Sequence, residues 1–283
     1  LTIQSQEIQA AVRYSLDDMT GTARFRAMSG AFGALGGDLS AINMNPASSV
    51  IFNTNQVGFT FSNHSKNNKS TYFGTYTEQC ESSFDMNQFG SVFVFHNNDA
   101  NWKKFAFAIN YENENRLDNS VFSAGVNPTT SIDSYFLNYA NGIPLGTLQS
   151  NLYALNYNEQ QAFFGYNGYI ISPVSENLSN TQYVSEVPAG GNYYQDNYVE
   201  TYGFNGKVAF NLATQYKDFL SFGINLNAHF VDFNRASSFY EKNTNDLENG
   251  VQDVVFENFL YTYGSGFSVQ VGAIIKATQS LRF

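Results

Sequence analysis

The feature that most constrains this chain is a strict two-residue alternation that persists over long segments. Over 220–230 one face reads Leu220, Phe222, Ile224, Leu226, Ala228 and Phe230, and the other Ser221, Gly223, Asn225, Asn227 and His229. Successive side chains of a strand point to opposite faces, so this period describes an extended chain with two unlike surfaces. Over 202–213, Tyr202, Phe204, Val208, Phe210 and Leu212 oppose Gly203, Asn205, Lys207, Ala209 and Asn211. Phe105, Phe107, Ile109 and Tyr111 likewise oppose Ala106, Ala108, Asn110 and Glu112. Phe267, Val269, Val271 and Ile275 oppose Ser268, Gln270, Gly272 and Lys276, with Ile274 out of phase, and shorter pieces lie at 57–61 and 89–95.

Two architectures generate this pattern. A soluble β-sandwich turns its apolar face inward. A transmembrane barrel turns it to lipid and keeps small and polar residues in the lumen. Three details favour the barrel. The polar face carries Gly, Ala, Ser and Asn rather than the Lys and Glu of a soluble surface; only 13% of the 283 residues are charged, while Asn alone occurs 35 times. The alternating segments with their polar extensions, 193–214 and 219–241, exceed the roughly 9–11 residues that a tilted strand needs to cross a bilayer. Short connections (96–102, 214–218, 276–280) also alternate with long ones (123–192, 242–253), as in outer-membrane barrels. No run approaches the ~18 apolar residues of a spanning helix, and a net charge of −10 argues against nucleic acid as a partner. Six strands are expected, at 56–63, 86–96, 103–122, 193–214, 219–241 and 253–276, with 70–77 in the outer reach of the second. A further piece starts at Leu281.

The long connection 123–192 has helical spacing at 131–140, ended by Asn141-Gly142, and again at 158–170. It reads as an extracellular lid over the barrel mouth or as a ligand gate. Residues 1–53 do not alternate. They hold a helix-like stretch from Glu7 to Leu16, a small-residue run 30–38, and Asn45-Pro46-Ala47. Tyr14, Gly21-Thr-Ala-Arg24, Met28-Ser-Gly-Ala-Phe-Gly33, Gly37-Asp38 and Asn45-Pro46-Ala47 resemble the N-terminal hatch of the FadL/TodX family, outer-membrane transport proteins of Gram-negative bacteria. The resemblance implies an all-β fold: a 14-stranded antiparallel transmembrane barrel, residues 54–283 supplying about half of it, with residues 1–53 plugging the lumen. It assigns a hatch role to Gly30, Gly33, Gly36, Gly37, Asp38, Asn45, Pro46 and Ala47. It further implies a hydrophobic substrate held inside, hatch rearrangement opening its path, and an outer-membrane location. Six or seven strands cannot enclose a 50-residue plug, since even eight leave an interior only wide enough for side chains. The remaining strands are therefore expected elsewhere.

Enzyme chemistry finds little support in the residue inventory, and no cofactor is expected. His64, His96 and His229 fall on different segments. His229 faces the lumen, where it either pairs with a Ser of a neighbouring strand, as a hydrolase would need, or bonds Asn or water. Asn243, Asn245, Asp246, Glu248 and Asp253 form an oxygen-rich stretch that offers Ca²⁺ ligands or a solvated acidic loop. Phe32, Leu35, Ile42, Met44 and Phe52 supply apolar surface to the hatch, either lining a ligand pocket or packing the plug. Trp102, Tyr72, Tyr111, Tyr202 and Tyr261 are candidates for interfacial girdles. The expected function is passage of a fatty-acid-like hydrophobic small molecule through the outer membrane. The alternative is an accessory or structural subunit of a larger outer-membrane secretion or assembly complex. The expected partners are membrane lipid, that ligand and other outer-membrane proteins.

Overall fold

The computed structural model describes residues 8–16, 18–97, 99–246 and 248–283, with side chains from Val12 onward. It is mostly β. Helices α1 (Ile8–Ser15), α2 (Ala23–Ala27) and α3 (Ala41–Met44) and a 3-10 turn (Pro46–Ile51) come first. Glu7, the first residue of the expected opening helix, lies outside the described residues. Strands β1 (Gln56–Tyr72), β2 (Thr75–His96), β3 (Trp102–Arg116) and β4 (Asn119–Asn127) follow. A helical excursion then holds α4 (Asp133–Ala140), α5 (Leu145–Leu148), α6 (Tyr157–Asn167) and the small pair β5 (Ile171–Pro173) and β6 (Tyr183–Ser185). Three long strands complete the chain: β7 (Tyr193–Tyr216), β8 (Leu220–Lys242) and β9 (Asp253–Ile275).

The main sheet is antiparallel, in the order β1-β2-β3-β7-β8-β9, with β4 also paired to β7. Among the described residues it does not close: β1 and β9 are open edges, so the structure holds an open antiparallel sheet, called the wall below, and not the expected barrel. Among the described residues no helix is long and apolar enough to cross a membrane.

Three expected boundaries shift, each for a local reason. The segment 56–63 continues to Tyr72 and returns through Phe73 and Gly74, both at positive φ (44° and 84°), as a two-residue hairpin. The second strand accordingly begins at Thr75, not 86. Its outer half, Thr75–Asp85, carries Tyr76, Cys80 and Phe84 spaced among polar residues on one face and only polar residues on the other, too weak an alternation to fix its start, and 70–72 of the expected outer reach belong to β1. This hairpin also puts one tight turn at the end of the sheet that carries the long connections. The expected strand 103–122 is two, because Leu117 and Asp118 break step beside Gly203. Leu117 N–H donates to the Gly203 carbonyl (3.1 Å), and Gly203 N–H to Asp118 Oδ1 (3.0 Å). Near Leu281 the chain forms only an isolated bridge, Lys276 to Arg282.

Over the lower half of the sheet the usual burial rule is reversed. Phe210, Leu212, Phe222, Leu226, Phe267 and Val271 are exposed, Val271 at 76%, whereas Asn110, Asn211 and Asn225 are fully buried. The outward apolar run covers Phe204 to Leu212 on β7, Leu220 to Phe230 on β8 and Phe267 to Ile275 on β9, with Val208, Leu220 and Phe230 half-buried and the rest of its large side chains exposed. Trp102, Tyr216 and Phe219 form an aromatic cluster at its lower border, with Trp102 and Tyr216 edge to face at 5.1 Å. Tyr202, Tyr261 and Tyr263 stand above it, Tyr261 donating to Asp232 Oδ2 (2.8 Å).

Over the upper half a hydrophobic core forms on the inner face, while Val255 and Phe259 on the outer face of β9 remain exposed. Helices α4, α5 and α6 enclose Phe136, Leu145, Leu148 and Ala162, all fully buried, and pack against Phe239, Val254 and Phe256 of the wall. Helix α6 starts with a capping box, Asn156 accepting from Glu159 N–H while the Glu159 carboxylate accepts from Asn156 N–H (2.8 Å).

Candidate functional site

The N-terminal segment lies on the polar face of the wall, and its sequence explains how it is held. Helix α3 is only four residues long, so its last carbonyls lack helical partners. Wall amides supply them. Asn211, Asn225 and Gln270 face one another across β7, β8 and β9. Asn225 Nδ2 donates to the Ile42 carbonyl (2.8 Å), Asn211 Nδ2 to Pro46 (2.8 Å), and Gln270 Nε2 to Asn43 (3.1 Å) and Met44 (3.2 Å). The amides also bond to one another, Asn211 to Asn225 at 2.6 Å and Asn225 to Gln270 at 3.2 Å. Ser49 Oγ donates to Asn211 Oδ1 (2.5 Å). This row is the physical reason that the buried side of the sheet is built from amides: each orphaned carbonyl meets a donor that carries no charge to desolvate.

One step below the amides, Gly223 and Gly272 form a cross-strand pair on which Asn45-Pro46-Ala47 rests. A Cβ at Gly223 would stand 2.5 Å from Ala47 N, and one at Gly272 would stand 2.6 Å from Pro46 Cδ. Asn45 Oδ1 accepts from Ala47 N–H (3.0 Å), opening the 3-10 turn with Pro46 first, where a missing N–H does no harm. Asn45 Nδ2 ties the segment to itself through the Gly33 carbonyl (2.7 Å) and to the wall through that of Ala273 (2.9 Å).

The small-residue run shapes the segment internally. Gly30, Gly36 and Gly37 have positive φ, and at Gly36 a Cβ would also strike Ile51 (2.7 Å). Nothing crowds Gly33. Asp38 accepts from Thr22 Oγ1 (2.8 Å) and Ser40 N–H (3.0 Å), joining two turns of the segment. Phe32 is buried against Phe25 and Ala41. Ile42 and Phe52 fill the seam between the segment and Val92, Ala106, Ala108 and Ala213 of the wall. Leu35 and Met44 are exposed, and Met44 borders a cavity of about 340 Å³. The five apolar candidates thus do not form one pocket.

Above the amide row a larger cavity, about 730 Å³, opens between the segment and the wall; Tyr14, Glu114, Lys207, His229, Ser268 and Gln270 line it. A β-bulge between Asn113 and Asn115 leaves Glu114 without a ladder partner. Its carboxylate pairs with Lys207, and its second oxygen lies 3.6 Å from His229 Nδ1. Helix α1 closes the upper side, with the Arg13 guanidinium 4.2 Å from the centre of the Phe233 ring and Tyr14 edge-on to the same ring. The lining is mixed, with Glu114, Lys207 and His229 beside Phe230, Val231 and two glycines of β9. Alternation places Lys207, His229 and Ser268 on the polar faces of their strands, but the bulged Glu114 and the cross-strand pairings carry no local signal.

Asp246, Glu248 and Asp253 do not converge, and among the described residues no group of three such side chains could hold a metal. Asp246 Oδ1 instead accepts from the backbone of Glu248 and Asn249 (3.0 and 3.1 Å), while Asp253 accepts from Tyr240 OH (2.6 Å). No family model matches the chain, and neither does any curated protein or solved structure.

Proposed function

We propose that the chain is wall and plug of an outer-membrane barrel that admits an amphipathic small molecule, with residues 1–53 as the hatch. The reversal of burial over the lower sheet carries this reading. Runs of nine residues on β7 and β9 and eleven on β8 present apolar side chains outward, matching the roughly 9–11 residues of a membrane-crossing strand. Aromatic borders suit the headgroup level. In water such a surface would be a large exposed apolar patch; in lipid it is the expected exterior. The resemblance of residues 14–47 to the FadL/TodX hatch supports the same assignment and a 14-stranded complete barrel. The mixed cavity lining narrows the ligand from purely hydrophobic to amphipathic, since Glu114, Lys207 and His229 would otherwise lose solvation without return. Passage requires that the amide row release the hatch.

Ser49 and Asn211, in contact across that seam, offer the test. In a Cys80→Ser background, Ser49→Cys with Asn211→Cys would lock the hatch under oxidation. Uptake of a fluorescent long-chain amphiphile into cells or proteoliposomes should stop on oxidation and recover with reductant. Uptake indifferent to the lock would refute hatch gating. Exposed Tyr153, Tyr157 and Tyr169 on the excursion (92%, 62% and 77% exposed) favour a second reading, in which the outer face docks other outer-membrane proteins as an accessory subunit.

A further inference from the structure

Three side chains beside the large cavity stand in an order that passage of a ligand does not use. Ser268 Oγ on β9 is 2.7 Å from His229 Nε2 on β8. The other ring nitrogen, Nδ1, faces Glu114 Oε2 on β3 at 3.6 Å. Lys207 holds the other carboxylate oxygen, Oε1, and so fixes the direction of the carboxylate. A hydroxyl at Nε2 and a carboxylate at Nδ1 is the arrangement that turns serine into a nucleophile: the carboxylate selects the tautomer and steadies the imidazolium. Separations in such sites are looser before substrate binds. Asn227 Nδ2 lies 3.2 Å from Ser268 Oγ, a donor beside the atom on which a tetrahedral centre would form.

There is also room for a substrate. Beyond Ser268 the next two positions on the same face of β9 are Gly266 and Gly264, opposite His229 and Val231. No side chain projects from β9 there, and the cavity of about 730 Å³ runs over this trough. An acyl chain could lie along it with its carbonyl at Ser268.

We propose that Ser268, His229 and Glu114 form a serine-hydrolase site for carboxylic esters carrying an apolar acyl chain. Ser268 Oγ attacks the carbonyl carbon while His229 Nε2 takes its proton, and Asn227 Nδ2 donates to the oxyanion. Collapse breaks the bond from carbon to the alkoxy oxygen, and the alcohol leaves with the proton from His229. Water, deprotonated by the same nitrogen, then attacks the acyl-serine, releasing the acid and restoring Ser268. Ser268 and His229 are the catalytic residues; Glu114 is a positioning residue.

The test uses the full chain in detergent with an alkyl fluorophosphonate and p-nitrophenyl octanoate. The expected result is phosphonylation located at Ser268 by peptide mass spectrometry, with ester turnover lost in Ser268→Ala. Turnover should fall by ~10²–10⁴-fold in His229→Ala. Glu114→Gln should slow both labelling and turnover, and Glu114→Asp should restore part of each, a rescue that loss of packing alone would not produce. Ser268→Cys in a Cys80→Ser background keeps the side-chain shape and should move reactivity from the fluorophosphonate to iodoacetamide. Failure of the unaltered protein to label at Ser268, or equal turnover in Ser268→Ala, would overturn the assignment. Neither readout depends on ligand passage, so the transport reading stands or falls separately.

Discussion

The lower and upper halves of β7, β8 and β9 belong to the same strands yet meet different neighbours on their inner face. Below Tyr202, Phe210 and Leu226 are exposed and Asn211 and Asn225 are buried. Above it, Phe136 and Leu148 of the helical excursion are buried against Val254, while Val255 and Phe259 on the outer face of β9 stay exposed, and buried polar groups gather in networks. Glu241 is the clearest of these: its carboxylate accepts from Ser131 Oγ, Ile132 N–H (2.8 Å) and Gln195 Nε2 (2.6 Å). Gln195 Oε1 in turn accepts from Tyr72 OH (2.5 Å), so one cluster joins the β1–β2 tip, the start of the excursion and β8. The contrast teaches that a strand has no intrinsic inside. What packs against each face decides which one is buried, the N-terminal segment below and the helical excursion above.

The largest effect should come from the upper core. Phe136→Ala removes a fully buried ring and should cost the cap about 3–5 kcal/mol; limited proteolysis should show cleavage over 128–192 with the lower strands still protected. If protection vanished everywhere, the two halves would be a single cooperative unit. Next, Phe210→Arg places a charge on the outward lower face and, on the proposed membrane reading, should destabilise the protein in vesicles by roughly 2–4 kcal/mol, measured by denaturant unfolding. The outward Tyr194→Arg, near the top of β7, should change little. Equal penalties at both sites would remove the membrane assignment. Asn225→Ala leaves the Ile42 carbonyl without its donor and should weaken docking of the N-terminal segment by about 1–3 kcal/mol, seen as faster hydrogen exchange over 41–51. The smallest and most local effect is a pH dependence confined to the cap. Burial pushes the Tyr183 phenol, which donates to the Ile143 carbonyl, up to about 12. Because the folded value lies above that of the unfolded chain, this contribution is complete below about pH 10 and is lost between there and pH 12. Near-ultraviolet circular dichroism across that range should lose the cap signal first, and Tyr183→Phe should shift the loss.

Much of the fold was legible because alternation is local. The lower runs of β3, β7, β8 and β9 and helices α4 and α6 all follow from spacing and caps. The outer half of the β1–β2 hairpin was not, because Ser65, Asn67, Lys69, Glu78 and Gln79 leave too weak an alternation to count; backbone pairing alone makes it a strand. Helix α5, four residues long, is too short to show a period. At the candidate site, Asn45-Pro46-Ala47 stood out as a motif, but its seat did not. The glycines beneath it lie more than 170 residues away, and their smallness is explained only by what rests on them.

By itself, the sequence determined which residues share a face, because steric alternation at each peptide unit needs no partner. It also determined that these faces are unlike and that one carries amides and glycines in place of charge. Only the tertiary structure decided what those faces meet. Register across three strands brings Asn211, Asn225 and Gln270 into one row, and a bulge aims Glu114 at Lys207 and His229. Those juxtapositions arise from long-range pairing, where sliding a strand by one residue would exchange its faces.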